Sequence, residues 1–421
     1  MTTAQEDLRS QAHSAHIGEF CSLNQRDARV LIVGAGPVGL VMALRLDAFG
    51  IPCTVIEAAP GPQRDLRAST FHPPTLDMLD EYGLAAPLIA LGRKCPDWQI
   101  RVHETHERVV FDLTLLAADT QHPYRLQCEQ FRLCELLVDR LGNAPNVILE
   151  WNTQVTGLQQ DADGVQVTAA AAGGQRQFSG RFLIGADGAR SVVREALGVE
   201  FSGKTYPETT ILATTPFPFH DHLPGLSNVN YVWTREGTFS LLRLPSIWRC
   251  SLYPDVDESI DDAIRPASIE RKLQRIVPCP EPYEVHEMRP YRVHMRIVSD
   301  YRVGRVLLAG DAAHVNSPSG GMGMNGGIHD AFNLTGHIQA VWNGAEPGLL
   351  DRYTRQRRPV AADEILKQAD RNRARMQERD PARRRALFDD MQRTASDPQL
   401  ARAFLLRTSM IEGLRRAAEQ S

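Results

Sequence analysis

With 421 residues, 43% of them hydrophobic, and a formal charge of −4, the chain can bury two or three domains and carries no charge excess pointing to a nucleic-acid partner. Seven cysteines, an odd number with no Cys-x-x-Cys pair, argue against a disulfide framework or a metal site. No apolar run approaches the roughly twenty residues that span a bilayer, and residues 1–28 are polar, without a signal-peptide core, so a flexible tail on a cytoplasmic protein is expected.

Residues 29–57, RVLIVGAGPVGLVMALRLDAFGIPCTVIE, read as strand, tight turn, helix (40–49, closed by Gly50) and second strand. In Gly34-x-Gly36-x-x-Gly39 the first glycine permits the turn, the second admits a pyrophosphate and the third lets the helix pack on the strand. Glu57 follows at the end of the second strand, placed to accept hydrogen bonds from a ribose. In that order these elements argue for an adenine dinucleotide. The turn has no cation of its own, so Arg64 or Arg67 could neutralise a phosphate, or remain a solvated charge.

A helix is predicted over 75–82, then strands over 98–103 and 108–113 around a tip containing His103, Glu104, His106 and Glu107. A hairpin tip sends those histidines apart, which argues against a metal. Residues 124–127 read as a strand leading into a helix over 129–141, and 147–153, 155–160 and 165–170 as one small sheet. Residues 181–184 form a buried strand ending in Gly185-Ala186-Asp187-Gly188, where Asp187 could cap the helix predicted over 191–197. Residues 198–205 match the P-loop pattern, but a helix precedes them, Tyr206-Pro207 stops any helix after them, and Glu200 is a poor neighbour for phosphate. That match is chance.

Strands over 209–215, 229–234, 238–244 and 248–253 predict an antiparallel sheet, with His220 and His222 in a solvated loop before it. A helix over 269–276 and strands over 284–298 lead to a buried strand at 305–309, Gly310-Asp311, a loop of Ser, Pro and Gly, and a helix from about 325 to 342. The glycines Gly320, Gly321, Gly323 and Gly326 either admit backbone N–H groups to a flat or anionic ligand or make a ligand-free turn. Beyond 342 the chain is helical; the arginines of 371–385 read as a solvated face, and 405–417 as a helix packing back on the body.

Residues 34–39, 185–194 and Gly310-Asp311 with its glycine loop, in this order and spacing, resemble the FAD-dependent aromatic hydroxylases, the p-hydroxybenzoate hydroxylase-like flavoprotein monooxygenases; residues 351–361 resemble that family's tail. The resemblance implies an α/β fold. A Rossmann-like FAD-binding domain would comprise 29–200 and 285–345, with 75–125 partly on the substrate side. An inserted antiparallel-sheet substrate domain would span 201–284, and a helical C-terminal segment 346–421. It implies FAD, NADPH or NADH as a transient co-substrate without a Rossmann unit of its own, O2, and hydroxylation of a small electron-rich aromatic or heteroaromatic ring through a flavin hydroperoxide. An FAD-linked oxidase or dehydrogenase is the alternative, and a homodimer is compatible with either.

By the same resemblance the cofactor contacts would be Gly34, Gly36, Pro37, Val38, Gly39, Glu57, Arg67, Gln127, Asp187, Asp311, Pro318, Gly321, Gly323, Met324 and Asn325. Gln127 could equally sit in the core. Backbone N–H groups of 323–325 are expected to stabilise negative charge on reduced flavin. Candidates for orienting or deprotonating a phenol are Arg243, Tyr231, His72 and Tyr253. Arg243, between Leu242 and Leu244, needs an anion, either from substrate or from within the protein. The family's type member has a tyrosine where Ser251 follows Arg249-Cys250 here, which argues against a benzoate substrate.

Overall fold

The computed structural model describes residues 28–65 and 67–420; all of the expected tail (1–28) but its last residue lies outside the described residues. Val30–Val33 runs near the middle of a six-stranded sheet, with Phe182–Gly185 and Cys53–Ile56 parallel to it on either side. Val306–Leu308 and Val147–Glu150 extend the sheet in parallel, and Arg302–Val303 closes one edge as a short hairpin. Val30, Leu31 and Ile32 are wholly buried, as expected for parallel strands covered on both faces. The first helix is Pro37–Ala48, three residues earlier than expected. Proline is tolerated at a first helical position, where its missing N–H has no intrahelical partner to lose. That helix packs along Gly323–Trp342, bringing the two glycine-rich segments side by side.

Val147–Glu150 belongs to this main sheet and not to the small one. The small sheet is instead Gln154–Gln160, Val165–Ala171 and Gly174–Gly180. Its third strand, GQRQFSG, is largely exposed and so lacks the apolar alternation that marks a strand in sequence.

The second large sheet has eight strands: His314–Val315, Glu287–Val298, Phe201–Thr215, Trp248–Leu252, Thr238–Arg243, Val229–Trp233, Asp97–Val102 and Arg108–Asp112. Phe201–Thr215 and Glu287–Val298 pair along most of their length, so a domain boundary at 284/285 would cut through one continuous sheet. The P-loop look-alike is the start of Phe201–Thr215; Lys204 faces Asp370 at 3.6 Å. Asp97–Val102 joins parallel to Val229–Trp233, so the early hairpin also belongs here.

The arginine-rich stretch is less solvated than its composition predicts. Arg373 lies over the Tyr206 ring at 3.8 Å and pairs with Glu208, while Arg384 donates to the Gly237 carbonyl at 2.9 Å. Strand ends and aromatic faces of the eight-stranded sheet supply acceptors that draw these side chains inward. Pro398–Thr408 and Ile411–Glu419 break at Met410, which has φ 68°, and Leu405 and Ile411 pack with Trp98 and Phe111. Among the described residues no helix is long and apolar enough to cross a membrane.

Candidate active site

A cavity of about 570 Å³ is lined by residues of both large sheets. At one end Gly34, Gly36, Pro37 and Val38 meet Glu57 and Gly61. The Glu57 carboxylate accepts the Ala35 N–H at 2.7 Å and the Ala59 N–H at 2.8 Å, which fixes it at the strand end with lone pairs left over. The three motif glycines divide their work. A Cβ on Gly34 would meet the Ala186 carbonyl at 2.5 Å, and one on Gly39 the Gly34 carbonyl at 2.0 Å, so both serve close packing. A Cβ on Gly36 would meet nothing within 4 Å. It would stand in the cavity at the start of Pro37–Ala48, where N–H groups and the helix dipole favour an anion. Gly36→Val is therefore expected to fold with unchanged thermal stability when flavin-free but to purify with little or no bound flavin, read as the ratio of visible to ultraviolet absorbance. An equally yellow variant would remove this glycine from the cofactor site.

Arg67 lines the cavity, held by Asp65 at 2.8 Å, whereas Arg64 pairs with Glu135 at 2.7 Å away from it. Asp187 and Asp311 line the middle, and Pro318, Gly321, Gly323 and Met324 the far wall. Asp187 accepts the Val193 N–H at 3.2 Å on one oxygen while the other has no partner, and burial raises its pKa. Burial likewise raises the pKa of Asp311, which is enclosed by protein but open to the cavity. An unpartnered carboxylate oxygen beside an anion-favouring helix start, with Glu57 beyond, fits a ligand that combines hydroxyl donors with a phosphate bridge. The donor set suits FAD.

Three expected cofactor contacts, Gly39, Gln127 and Asn325, do not line this cavity, nor does His72, a candidate for handling the phenol. Gly39 packs against the Gly34 turn. Gln127 is buried, donating to Thr70 Oγ1 at 2.9 Å. Asn325 accepts the His72 N–H at 2.9 Å and donates to the Thr70 and Gly321 carbonyls at 2.8 and 2.7 Å, so its side chain clamps the glycine loop from behind. His72 bonds the Gly320 carbonyl through Nε2 at 2.8 Å, and burial pushes its pKa down to about 3. It is neutral, faces away from the cavity and holds the same loop. A buried polar side chain must satisfy its own donors; for Asn325 and His72 the partners are backbone carbonyls at the loop, and for Gln127 the hydroxyls of Ser69 and Thr70.

Arg243 also lies elsewhere. Along Thr238–Arg243, Ser240 and Leu242 face the cavity, while Phe239 and Leu241 pack in a separate core with Ile269 and Leu273. Arg243 shares the parity of that core face, and its guanidinium donates to His220 Nε2 at 2.7 Å. Its partner within the protein is thus an imidazole and not the anion expected, and His220 is bonded rather than solvated. On this sheet the arginine that does line the cavity is Arg249, opposite Leu242, with Ser251 and Tyr253 on the same face and Tyr231 and Tyr291 two strands away on either side. The signal was present in the alternation: Trp248, Cys250 and Leu252 are apolar and buried, which assigns 249, 251 and 253 to the other side.

Arg249 is buried; one nitrogen donates to Ser69 Oγ at 3.1 Å and Nε has no partner. Among the described residues no carboxylate is bonded to it; burial works against its charge, and the groups that favour the charge are Tyr291, Glu287 and Tyr231. Burial pushes the Tyr253 hydroxyl up to about 12 and raises that of Tyr291, so both remain neutral donors. The substrate-side wall thus offers a cation and hydroxyl donors and no base.

A family described as FAD binding domain matches residues 27–368. The para-nitrophenol 4-monooxygenase of Pseudomonas sp. (strain WBC-3) is 35% identical over 395 residues, 92% of this chain and 96% of its own. The 6-hydroxy-3-succinoylpyridine 3-monooxygenase of Pseudomonas putida is 35% identical over 332 residues, 78% of this chain and 84% of its own. A crystal structure of p-nitrophenol 4-monooxygenase from Pseudomonas putida has a TM-score of 0.86 at 33% identity, covering 92% of this chain and 98% of that one. An aklavinone-11 hydroxylase in complex with FAD and aklavinone has a TM-score of 0.74 at 26% identity, covering 84% of this chain and 70% of that one. These relatives are monooxygenases, which favours oxygen insertion over the oxidase alternative. The chain belongs to the FAD binding domain family and is a flavin-dependent aromatic monooxygenase that uses FAD and NAD(P)H.

Proposed function

We propose that the ring hydroxylated is a small monocyclic phenol or hydroxypyridine bound as its anion against Arg249. The observation that carries this reading is the buried, carboxylate-free guanidinium in the cavity wall. A buried cation is stabilised by an anion in contact with it, and among the described residues no carboxylate is bonded to Arg249. The relatives named for para-nitrophenol and 6-hydroxy-3-succinoylpyridine act on single hydroxylated rings, and the former aligns over nearly its whole length. When bound, FAD supplies electron transfer from NAD(P)H and activation of O2. Arg249 holds the phenolate oxygen, Tyr253 and Tyr291 donate hydrogen bonds beside it, and Leu242, Met322 and Met376 keep water from the ring. With no base in the wall, the ring enters already ionised.

Gly323–Trp342 begins two residues earlier than expected and opens on the cavity, so N–H groups of its first turn are available to a negative charge. Gly323→Pro removes one such donor and is expected to slow flavin reduction about a hundredfold (~3 kcal/mol); an unaltered rate in stopped-flow would reject the role. Cytoplasmic location and a homodimer form part of the same proposal. The direct test is to screen monocyclic phenols and hydroxypyridines for stimulated oxidation of NADH and of NADPH, and to ask whether product gains one atom from isotopically labelled O2. Stimulated oxidation with no label in any product would return the protein to the oxidase reading.

A further inference from the structure

Two guanidiniums converge on a second, smaller cavity of about 30 Å³, separated from the first by Tyr231, Ser319 and Met376, which line both. Arg125 arrives from the short strand Arg125–Gln127 and is 3% exposed. Its Nε and Nη1 have no partner, and the Trp98 ring lies 5.2 Å from its guanidinium carbon. Arg375 arrives from Lys367–Gln377. The carboxylate that favours its charge, Asp390, is exposed and already accepts a hydrogen bond from Arg393 at 2.9 Å. Around Arg125 the acidic groups are the Tyr231 hydroxyl and the buried Cys95 thiol, neither of which is an anion at neutral pH.

Arginine does not give up its proton in proteins, so the burial of Arg125 leaves positive charge with open donors beside a void that half-buried Arg375 also lines. The void is large enough for one or two water-sized species and too small for a ring. We propose that this cavity is a binding site for a small monovalent anion of halide size, held between Arg125 and Arg375 behind Tyr231. The guanidinium is weakly hydrated and presents fixed donors, which favours a weakly hydrated halide over water. Because Tyr231 stands in the wall between the two cavities, occupancy of the smaller one fixes a side chain that borders the ring site. The anion comes either from solution or from a charged substituent reaching past Tyr231 from the main cavity.

The test uses FAD-loaded enzyme in sodium gluconate, with bromide replacing gluconate at constant ionic strength and no turnover required. Melting temperature is expected to rise saturably with bromide, and bromide-soaked crystals to show an anomalous peak between Arg125 and Arg375. Arg125→Met should weaken the apparent bromide affinity about tenfold or more. Arg375→Met provides the same reading should the first variant fail to hold flavin. A melting temperature indifferent to bromide, a peak confined to the surface, or a saturable response unchanged in both variants would mean that water fills the cavity. Repeating the titration with 4-nitrophenol present separates the sources. Unchanged bromide affinity identifies a solution anion, and competition identifies a ring substituent; either outcome retains the anion site. Since bromide binding is read without hydroxylation, its failure is distinct from failure of the proposed ring chemistry.

Discussion

Arg249→Met is expected to lower kcat/KM for a phenolic substrate by about 2–5 kcal/mol, thirtyfold to a few thousandfold, while leaving the melting temperature of the substrate-free enzyme unchanged or higher. The two halves have one cause. Without substrate, Arg249 is a buried cation bonded to Ser69 with an unpartnered Nε and no carboxylate pair. A methionine of similar volume removes that desolvation penalty, as replacement of buried charges by apolar side chains often does. With substrate, the same change leaves the phenolate facing only neutral hydroxyls. Steady-state kinetics and thermal melting, each with and without ring substrate, check the pair. Arg249→Lys should recover little, because a lysine keeps the charge but loses the fixed fork. A variant that loses activity and stability in proportion would make Arg249 a structural residue and remove the reason for placing an anion there.

Replacing Asp330 should produce the largest loss of stability. Asp330 is wholly buried within Gly323–Trp342; Arg357 Nε donates to one oxygen at 2.7 Å and His314 Nε2 bonds the other at 2.7 Å. The Gly310 N–H also donates to it at 3.2 Å, so the carboxylate anchors the turn that carries Asp311 into the cavity. Asp330→Ala leaves Arg357 buried without its anion and is expected to cost about 3–5 kcal/mol. The loss would be read from urea midpoints at constant slope and accompanied by weaker flavin retention. The charge of Arg357, followed by that of His314, holds Asp330 down at about 2 against its burial. A depressed folded-state pKa stabilises fully above the ordinary carboxylate value near 4 and is lost as pH falls through about 2. Wild-type stability should therefore fall across that window by more than the Asp330→Ala variant's does. Equal slopes would show that other carboxylates dominate acid unfolding.

The dinucleotide half was legible because its requirements are local. A tight turn, a close helix approach and an acid at the next strand end are properties of neighbouring residues, and Gly34, Gly36 and Glu57 meet in space as they do in order. The same holds for the glycine loop, where Gly321 has φ 68° and little besides glycine fits. The family resemblance, and not the local pattern, ranked Arg67 above Arg64, and it is Arg67 that lines the cavity.

Side-chain roles were harder where they depend on which face of a strand is covered. Arg243 and Arg249 lie on adjacent strands six residues apart, each beside apolar neighbours, and a difference of parity sends one to His220 and the other to the cavity. Gln127, Asn325 and His72 are the right residue types near the right loop, yet Gln127 is taken by the Ser69 and Thr70 hydroxyls and the other two by the backbone they support. Likewise Arg125 and Arg375 meet across 250 positions of chain. The sequence alone determined the cofactor class and the order of the nucleotide-binding elements, because backbone conformation and strand alternation are set within a few residues. Only the tertiary structure decided which cations are left without anions, since that depends on long-range strand register and on which distant segments exclude water from each face.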